Sequence, residues 1–185
     1  MTEPYYTDDA VTLYHGDCRE LTEWLTADVL VTDPPYGMAY QSGYQKQRHS
    51  RIAGDESTDL RDEVLTMWGE SKPAVVFGTW RTPRPAGVRV VGVWDKTDGI
   101  GPGMGDLNMP FGSSHEEFYL LGPWQRHGQR HGSVIRTRTA MGNPSGIVSK
   151  VGHPTAKPLA VMEPIIDTTP VGCIVADPFA GGGRR

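Results

Sequence analysis

The stretch Val29-Leu30-Val31-Thr32-Asp33-Pro34-Pro35-Tyr36 decides how this chain is read. An apolar run of strand length without alternation predicts a strand buried on both faces. The two prolines behind it stop the strand, because each holds φ near about −65° and has no amide N–H to give a ladder. The resulting turn is stiff. It presents a carboxylate (Asp33) and an aromatic face (Tyr36) at the strand's carboxyl end, a combination suited to holding a flat base. The same tetrapeptide on a polar loop would read as an ordinary turn, so its context matters.

A second strand-then-loop element lies near the other end of the sequence. The run Gly172-Cys173-Ile174-Val175-Ala176 leads into Asp177-Pro178-Phe179-Ala180-Gly181-Gly182-Gly183. In a doubly wound sheet, ligands bind at the carboxyl ends of parallel strands, and glycines there let the backbone approach a cofactor. By itself the glycine run, followed by Arg184-Arg185, also fits a flexible tail. Between the two elements stands His153-Pro154-Thr155-Ala156-Lys157-Pro158, where Pro158 opens a predicted helix through Leu159, Val161, Met162, Ile165 and Ile166.

Taken together and in this order, the three motifs resemble the amino DNA methyltransferases, in the permuted β-type arrangement with the base-site motif first and the cofactor glycines last. The resemblance covers most of residues 11–183. It implies a Rossmann-like methyltransferase fold and S-adenosyl-L-methionine as cofactor. It also implies that Asp33 and Pro34 accept the two hydrogens of an exocyclic amino group while Tyr36 stacks on a base flipped out of the duplex. Phe179, Gly181 and Gly183 match the family's F-x-G-x-G element, and with Asp177, Thr155 and Lys157 they are the implied cofactor residues. Asp17, in Gly16-Asp17, matches a contact to the cofactor's adenine end. It also fits the cap of a helix over residues 19–25, the reading preferred from the residues alone. Trp94-Asp95-Lys96 and His115-Glu116-Glu117 resemble the family's central part, with residues 99–112 as the joining loop.

Periodicity places strands at 11–15, 29–32, 74–78, 88–94, 116–121 and 173–176, and helices at 19–25, 60–68 and 159–166. Strands alternate with helices early in the chain. That pattern predicts an open α/β sheet, mostly parallel, with an antiparallel pair within residues 88–121 at an edge. With 185 residues the chain is expected to form one domain, 1–185. No apolar run has transmembrane length and the acidic start lacks a signal-peptide pattern, so a cytoplasmic protein with no membrane partner is expected. Cys18 and Cys173 show no metal spacing or disulfide framework, and no metal site is predicted.

A net charge of −4 argues against general affinity for nucleic acid, but the charge is unevenly distributed. Lys46, Arg48 and Arg51 are the only charges between Gly37 and Ala53, and from Phe118 to Met162 there are cations, among them Arg136 and Arg138, but no acid. Loops at 37–57 and 122–152 are therefore expected to meet double-stranded DNA, with those five residues on phosphates. Solvated loops are the plainer alternative for any single arginine.

The family continues past its glycine element into a helix and a strand whose terminal acid grips the cofactor ribose, whereas this sequence reaches Arg185 two residues after Gly183. The expectation is that the chain alone binds the cofactor weakly or not at all, and three readings stay open: the sequence is a fragment, a homo-oligomer or partner chain completes the fold, or catalysis has been lost. Methylation of adenine at N6 leads, because Asp opens the motif. Methylation of the cytosine N4 amino group, where Ser often opens it, comes next. A catalytically incomplete DNA-binding or assembly module is the reading outside enzymes.

Overall fold

The computed structural model describes residues 2–38, 54–103, 105–137 and 157–180. The apolar runs that dominate the sequence form the middle of a six-stranded sheet. Its strands are β3 (Val29–Thr32), β4 (Ala74–Gly78), β5 (Val88–Asp95), β6 (His115–Leu121), β7 (Val134–Arg136) and β8 (Val175–Ala176), in the spatial order β7-β5-β6-β4-β3-β8. β3 lies parallel to β4 and β8, and β7 parallel to β5, while β6 runs antiparallel to both β4 and β5. The carboxyl ends of β3, β4, β5 and β8 and the start of β6 therefore gather at one end of the sheet.

Every residue of β3 and β4 is buried, as an unbroken apolar strand requires, because both sheet faces are covered. Alternation along the strands sends Val29, Val31, Val75 and Phe77 to one face, where Trp94, Phe118 and the helix residues Val161 and Ile165 complete a cluster. Leu30, Ala74 and Val76 point to the other, against Ala27, Ala176 and Trp68. Helix α1 (Asp59–Trp68) supplies Trp68 and helix α2 (Leu159–Ile166) supplies Val161 and Ile165. Trp24 stacks on Trp68 at 6.0 Å, and the Lys72 ammonium sits 3.9 Å from the Trp68 ring while donating to the Leu25 and Ala27 carbonyls at 2.6 and 2.9 Å. One lysine thus ties the approach to β3 onto α1.

Two glycines make room for aromatic rings in the sheet. A Cβ at Gly92 would lie 2.0 Å from Phe118 Cζ, and one at Gly78 would lie 2.5 Å from Tyr119 Cε2. Each ring occupies the space that a side chain on the neighbouring strand would need.

Several elements differ from the sequence expectation. The predicted strand at 11–15 is only β2 (Thr12–Leu13), paired antiparallel with β1 (Tyr6–Thr7) in a hairpin separate from the main sheet. Asp8 forms its turn, accepting the Ala10 and Val11 amides at 2.8 and 2.7 Å. The predicted helix at 19–25 is a 3-10 turn, Glu23–Thr26. The Cys18 carbonyl, which an α-helix would offer to the Thr22 amide, takes the Trp24 indole N–H at 2.8 Å instead. β7 was not anticipated. Its three residues are too few for periodicity, and the strand exists because β5 offers it a parallel edge, pinned where Trp94 Nε1 donates to Thr137 Oγ1 at 2.9 Å.

Candidate active site

Asp33 to Tyr36 leave β3 at the end of the sheet where β4, β5 and β8 also finish. Pro34 is buried and Asp33, Pro35 and Tyr36 are half-buried, so the double-proline turn is packed in place rather than displayed on a loop. Tyr36 curls back, its hydroxyl donating to Asp33 Oδ1 at 2.8 Å and lying 3.4 Å from Glu116 Oε2. Burial, then the negative charges of Asp33 and Glu116, push the Tyr36 phenol well above its ordinary range, so it remains a neutral donor. Just beyond, Gly37 adopts φ 72°, and a Cβ there would meet the Ser57 carbonyl carbon at 2.6 Å. The buried Asp55 carboxylate accepts the Gly37 and Met38 amides at 2.9 and 3.3 Å, fixing the exit of the turn.

Lys157, immediately before the Pro158 cap of α2, reaches into this turn. Its ammonium donates to Asp33 Oδ2 at 2.6 Å and to the Tyr36 hydroxyl at 3.2 Å, lies 3.3 Å from Glu116 Oε2, and faces the Phe77 ring at 5.0 Å. Glu116 is held from its other oxygen by Lys96, 3.0 Å from Oε1. Burial alone would raise the Glu116 carboxyl, but the ammonium groups of Lys157 and Lys96 outweigh it, and the carboxyl titrates below its ordinary value. Two carboxylates and two ammonium groups thus form a balanced quartet around one phenol.

The second motif meets the first through Thr32, whose hydroxyl donates to Asp177 Oδ1 at 2.5 Å, and the same oxygen accepts the Phe179 amide at 3.0 Å. Among the described residues Asp177 Oδ2 takes no hydrogen bond, which leaves one carboxylate oxygen for an ammonium or hydroxyl donor of a ligand.

The structure therefore brings Asp33, Pro34, Tyr36, Lys157, Asp177 and Phe179 to adjacent strand ends. Asp17 stands in a different setting: its carboxylate accepts the Arg19 amide at 2.9 Å and pairs with the Arg19 guanidinium at 2.5 Å, which holds its pKa down to about 2. That is a local turn contact at Arg19, because the helix over 19–25 that it was expected to cap does not form. Arg136, on β7, is exposed, and among the described residues it pairs distantly with Asp95 at 3.9 Å. Thr155, Gly181, Gly183, Lys46, Arg48, Arg51 and Arg138 lie outside the described residues.

Sequence reasoning missed Glu116, Lys96, Thr32 and Asp55. The adjacent acids Glu116-Glu117 carried a usable signal, since neighbouring strand residues point to opposite faces and cannot share one role. Glu117 indeed turns away, taking the Arg84 guanidinium at 2.7 and 3.0 Å and the Tyr119 hydroxyl at 2.7 Å.

No family model matches the chain. Over a 203-residue alignment it is 25% identical to a protein of Escherichia coli (strain K12) described as "Putative methylase YubD", covering 91% of this chain and 74% of that one. Among solved structures it is similar to the M1.HpyAVI-SAM complex, with TM-score 0.58, 20% identity and coverage of 92% of this chain and 82% of the other. M1.HpyAVI also matches in a second crystal structure, with TM-score 0.55, 18% identity and coverage of 92% and 81%. The fold is a Rossmann-like α/β fold shared with M1.HpyAVI, mostly parallel, with β6 antiparallel between β5 and β4. Among the described residues no helix is long and apolar enough to cross a membrane.

Proposed function

We propose that this chain transfers a methyl group from S-adenosyl-L-methionine to the exocyclic N6 of adenine in double-stranded DNA. The observation that carries this reading is the placement of the Asp33 carboxylate and the Pro34 turn at the end of β3, tied by Thr32 to the Asp177-Pro178-Phe179 turn at the end of the adjacent β8. Base site and cofactor turn would then share one crevice at the carboxyl ends of neighbouring parallel strands, where this class of sheet binds ligands.

The residues present fit the cofactor. Among the described residues Asp177 keeps one carboxylate oxygen without a hydrogen bond, Phe179 lies beside it, and Thr155, Gly181 and Gly183 would complete the contact by resemblance to the family. When bound, the cofactor supplies an electrophilic methyl group. Lys157, assigned to the cofactor on resemblance, pairs with Asp33 and Glu116 and would therefore also border the base.

An adenine amino nitrogen is a poor nucleophile because its lone pair is shared with the ring. Asp33 and the Pro34 carbonyl, accepting its two hydrogens, would pull that nitrogen toward tetrahedral geometry. Positive charge grows on the nitrogen as it attacks, and a preorganised anion such as Asp33 stabilises it most in the transition state. Direct attack requires no enzyme nucleophile, so Cys18 and Cys173 have no part in it. Tyr36, fixed by Asp33 and Glu116, would give the flipped base a stacking face worth about 1–3 kcal/mol.

The test is to incubate the protein with unmethylated duplex DNA and labelled cofactor, digest the DNA, and identify the modified nucleoside. The expected product is 6-methyladenine. Only 4-methylcytosine would move the substrate to cytosine, and no modified base alongside retained DNA binding would support a non-catalytic module.

A further inference from the structure

Both oxygens of Asp33 are engaged by the protein itself. Oδ1 takes the Tyr36 hydroxyl at 2.8 Å and Oδ2 takes the Lys157 ammonium at 2.6 Å. On the function proposed above, on which this inference rests, an amino group of the base must donate to this carboxylate. Lys157 already does so with the same chemistry, an N–H donor on the same oxygen. An ammonium left there would also cancel the negative charge needed opposite a nitrogen that is becoming positive.

Lys157 cannot simply retreat into water. Its side chain is 10% exposed, and a buried ammonium without an acceptor is strongly unfavourable. A second acceptor stands ready: Glu116 Oε2 lies 3.3 Å from the same Nζ, while Lys96 holds Glu116 by its other oxygen. The rings of Phe77 and Tyr36, at 5.0 and 5.6 Å from Nζ, flank the ammonium and favour a cation between them.

We propose that Lys157 is a displaceable occupant of the base site and that Glu116 is the positioning residue that receives it. When a base amino group donates to Asp33, the Lys157 ammonium moves over to Glu116 Oε2 and restores the negative charge of Asp33. Without Glu116 the lysine has nowhere to go and stays on Asp33, competing with the base.

The interplay of Glu116 and Lys157 distinguishes this from a merely structural role. Binding of the full chain is measured by fluorescence anisotropy on fluorescein-labelled duplexes carrying one adenine opposite an abasic site, against the same duplexes with thymine there, so no turnover is needed. Glu116→Gln is expected to reduce the preference for the unpaired adenine about tenfold, and Glu116→Asp to retain most of it. Lys157→Met combined with Glu116→Gln is expected to match Lys157→Met alone within about twofold, because the competitor is gone. Circular dichroism and thermal melting confirm that each variant is folded, and Lys157→Gln replaces Lys157→Met if the latter melts early. Losses that simply add in the double variant, or an unchanged preference in Glu116→Gln, would overturn the hand-off and leave the base site standing. A wild-type protein with no adenine preference would overturn the base-site reading, and the hand-off with it.

Discussion

The Thr32 hydroxyl donates to Asp177 Oδ1 at 2.5 Å across 145 residues of sequence. Each residue sits at the end of a short parallel strand, and the bond holds the two loops that follow side by side. The proposed chemistry depends on this contact, because it sets the Asp33 turn beside the Asp177-Pro178-Phe179 turn. Five consequences can be measured.

Asp33→Ala is expected to abolish methyl transfer and the preference for an unpaired adenine, while affinity for fully paired duplex DNA stays nearly unchanged because phosphate contacts carry it. Single-turnover rates and equilibrium DNA binding, measured on the same folded preparation, check this. Near-normal turnover would remove Asp33 from the site.

Glu116 supplies a pH signature. Its folded carboxyl titrates below the ordinary value of 4.5, held there by Lys157 and Lys96 against burial. The unfolded chain therefore takes up the proton first: the stabilisation is fully present above 4.5 and is lost as pH falls through the folded value. Glu116→Gln is expected to flatten that acid limb, read from urea unfolding midpoints across a pH series. An acid limb identical to the wild type would contradict the pairing.

Gly92→Ala tests the packing of the sheet. With Phe118 Cζ only 2.0 Å from the added methyl's position and Phe118 just 6% exposed, the ring must move and repack a buried cluster. A loss of about 1–3 kcal/mol or more is expected, seen as a lowered melting temperature. A neutral substitution would show that the ring has room.

Arg136 projects from β7 with its side chain 64% exposed, and its pairing to Asp95 at 3.9 Å is worth little. If it contacts a phosphate, Arg136→Ala should weaken binding uniformly across sequences and reduce the slope of log affinity against log salt by about one. Affinity that does not depend on salt would count against the basic surface.

The outer edge of β8 pairs with no strand among the described residues, and Ile174 and Val171 near it are 63% and 106% exposed. An open edge beside apolar side chains invites association. The chain is expected to self-associate with concentration in sedimentation experiments, and Ile174→Lys to reduce this. A monomer at all concentrations would show that the edge is protected.

Much of this protein was determined by sequence alone. The runs 29–32 and 74–78 read as strands buried on both faces, because they are short, unbroken, valine-rich apolar runs, the first stopped by two prolines, and both appear with those bounds. Pro158 set the start of α2 just as directly. The prolines at 34 and 35 ended β3 and made the turn that carries Asp33. Other features exist only in three dimensions. The 3-10 turn at Glu23–Thr26 arises where the Trp24 indole, stacked on the distant Trp68, takes the Cys18 carbonyl, and β7 forms because β5 has a free edge. Glu116 and Lys96 became part of the site through antiparallel pairing of β5 and β6, which sets Trp94 opposite Glu116 and brings that end of the pair to the Asp33 turn. Local sequence determines where a strand begins, ends and hides its side chains, since those depend on neighbouring φ, ψ and hydrophobicity. Which charges meet across 124 residues, as Lys157 and Asp33 do, depends on strand order and register, and only the folded sheet decides those.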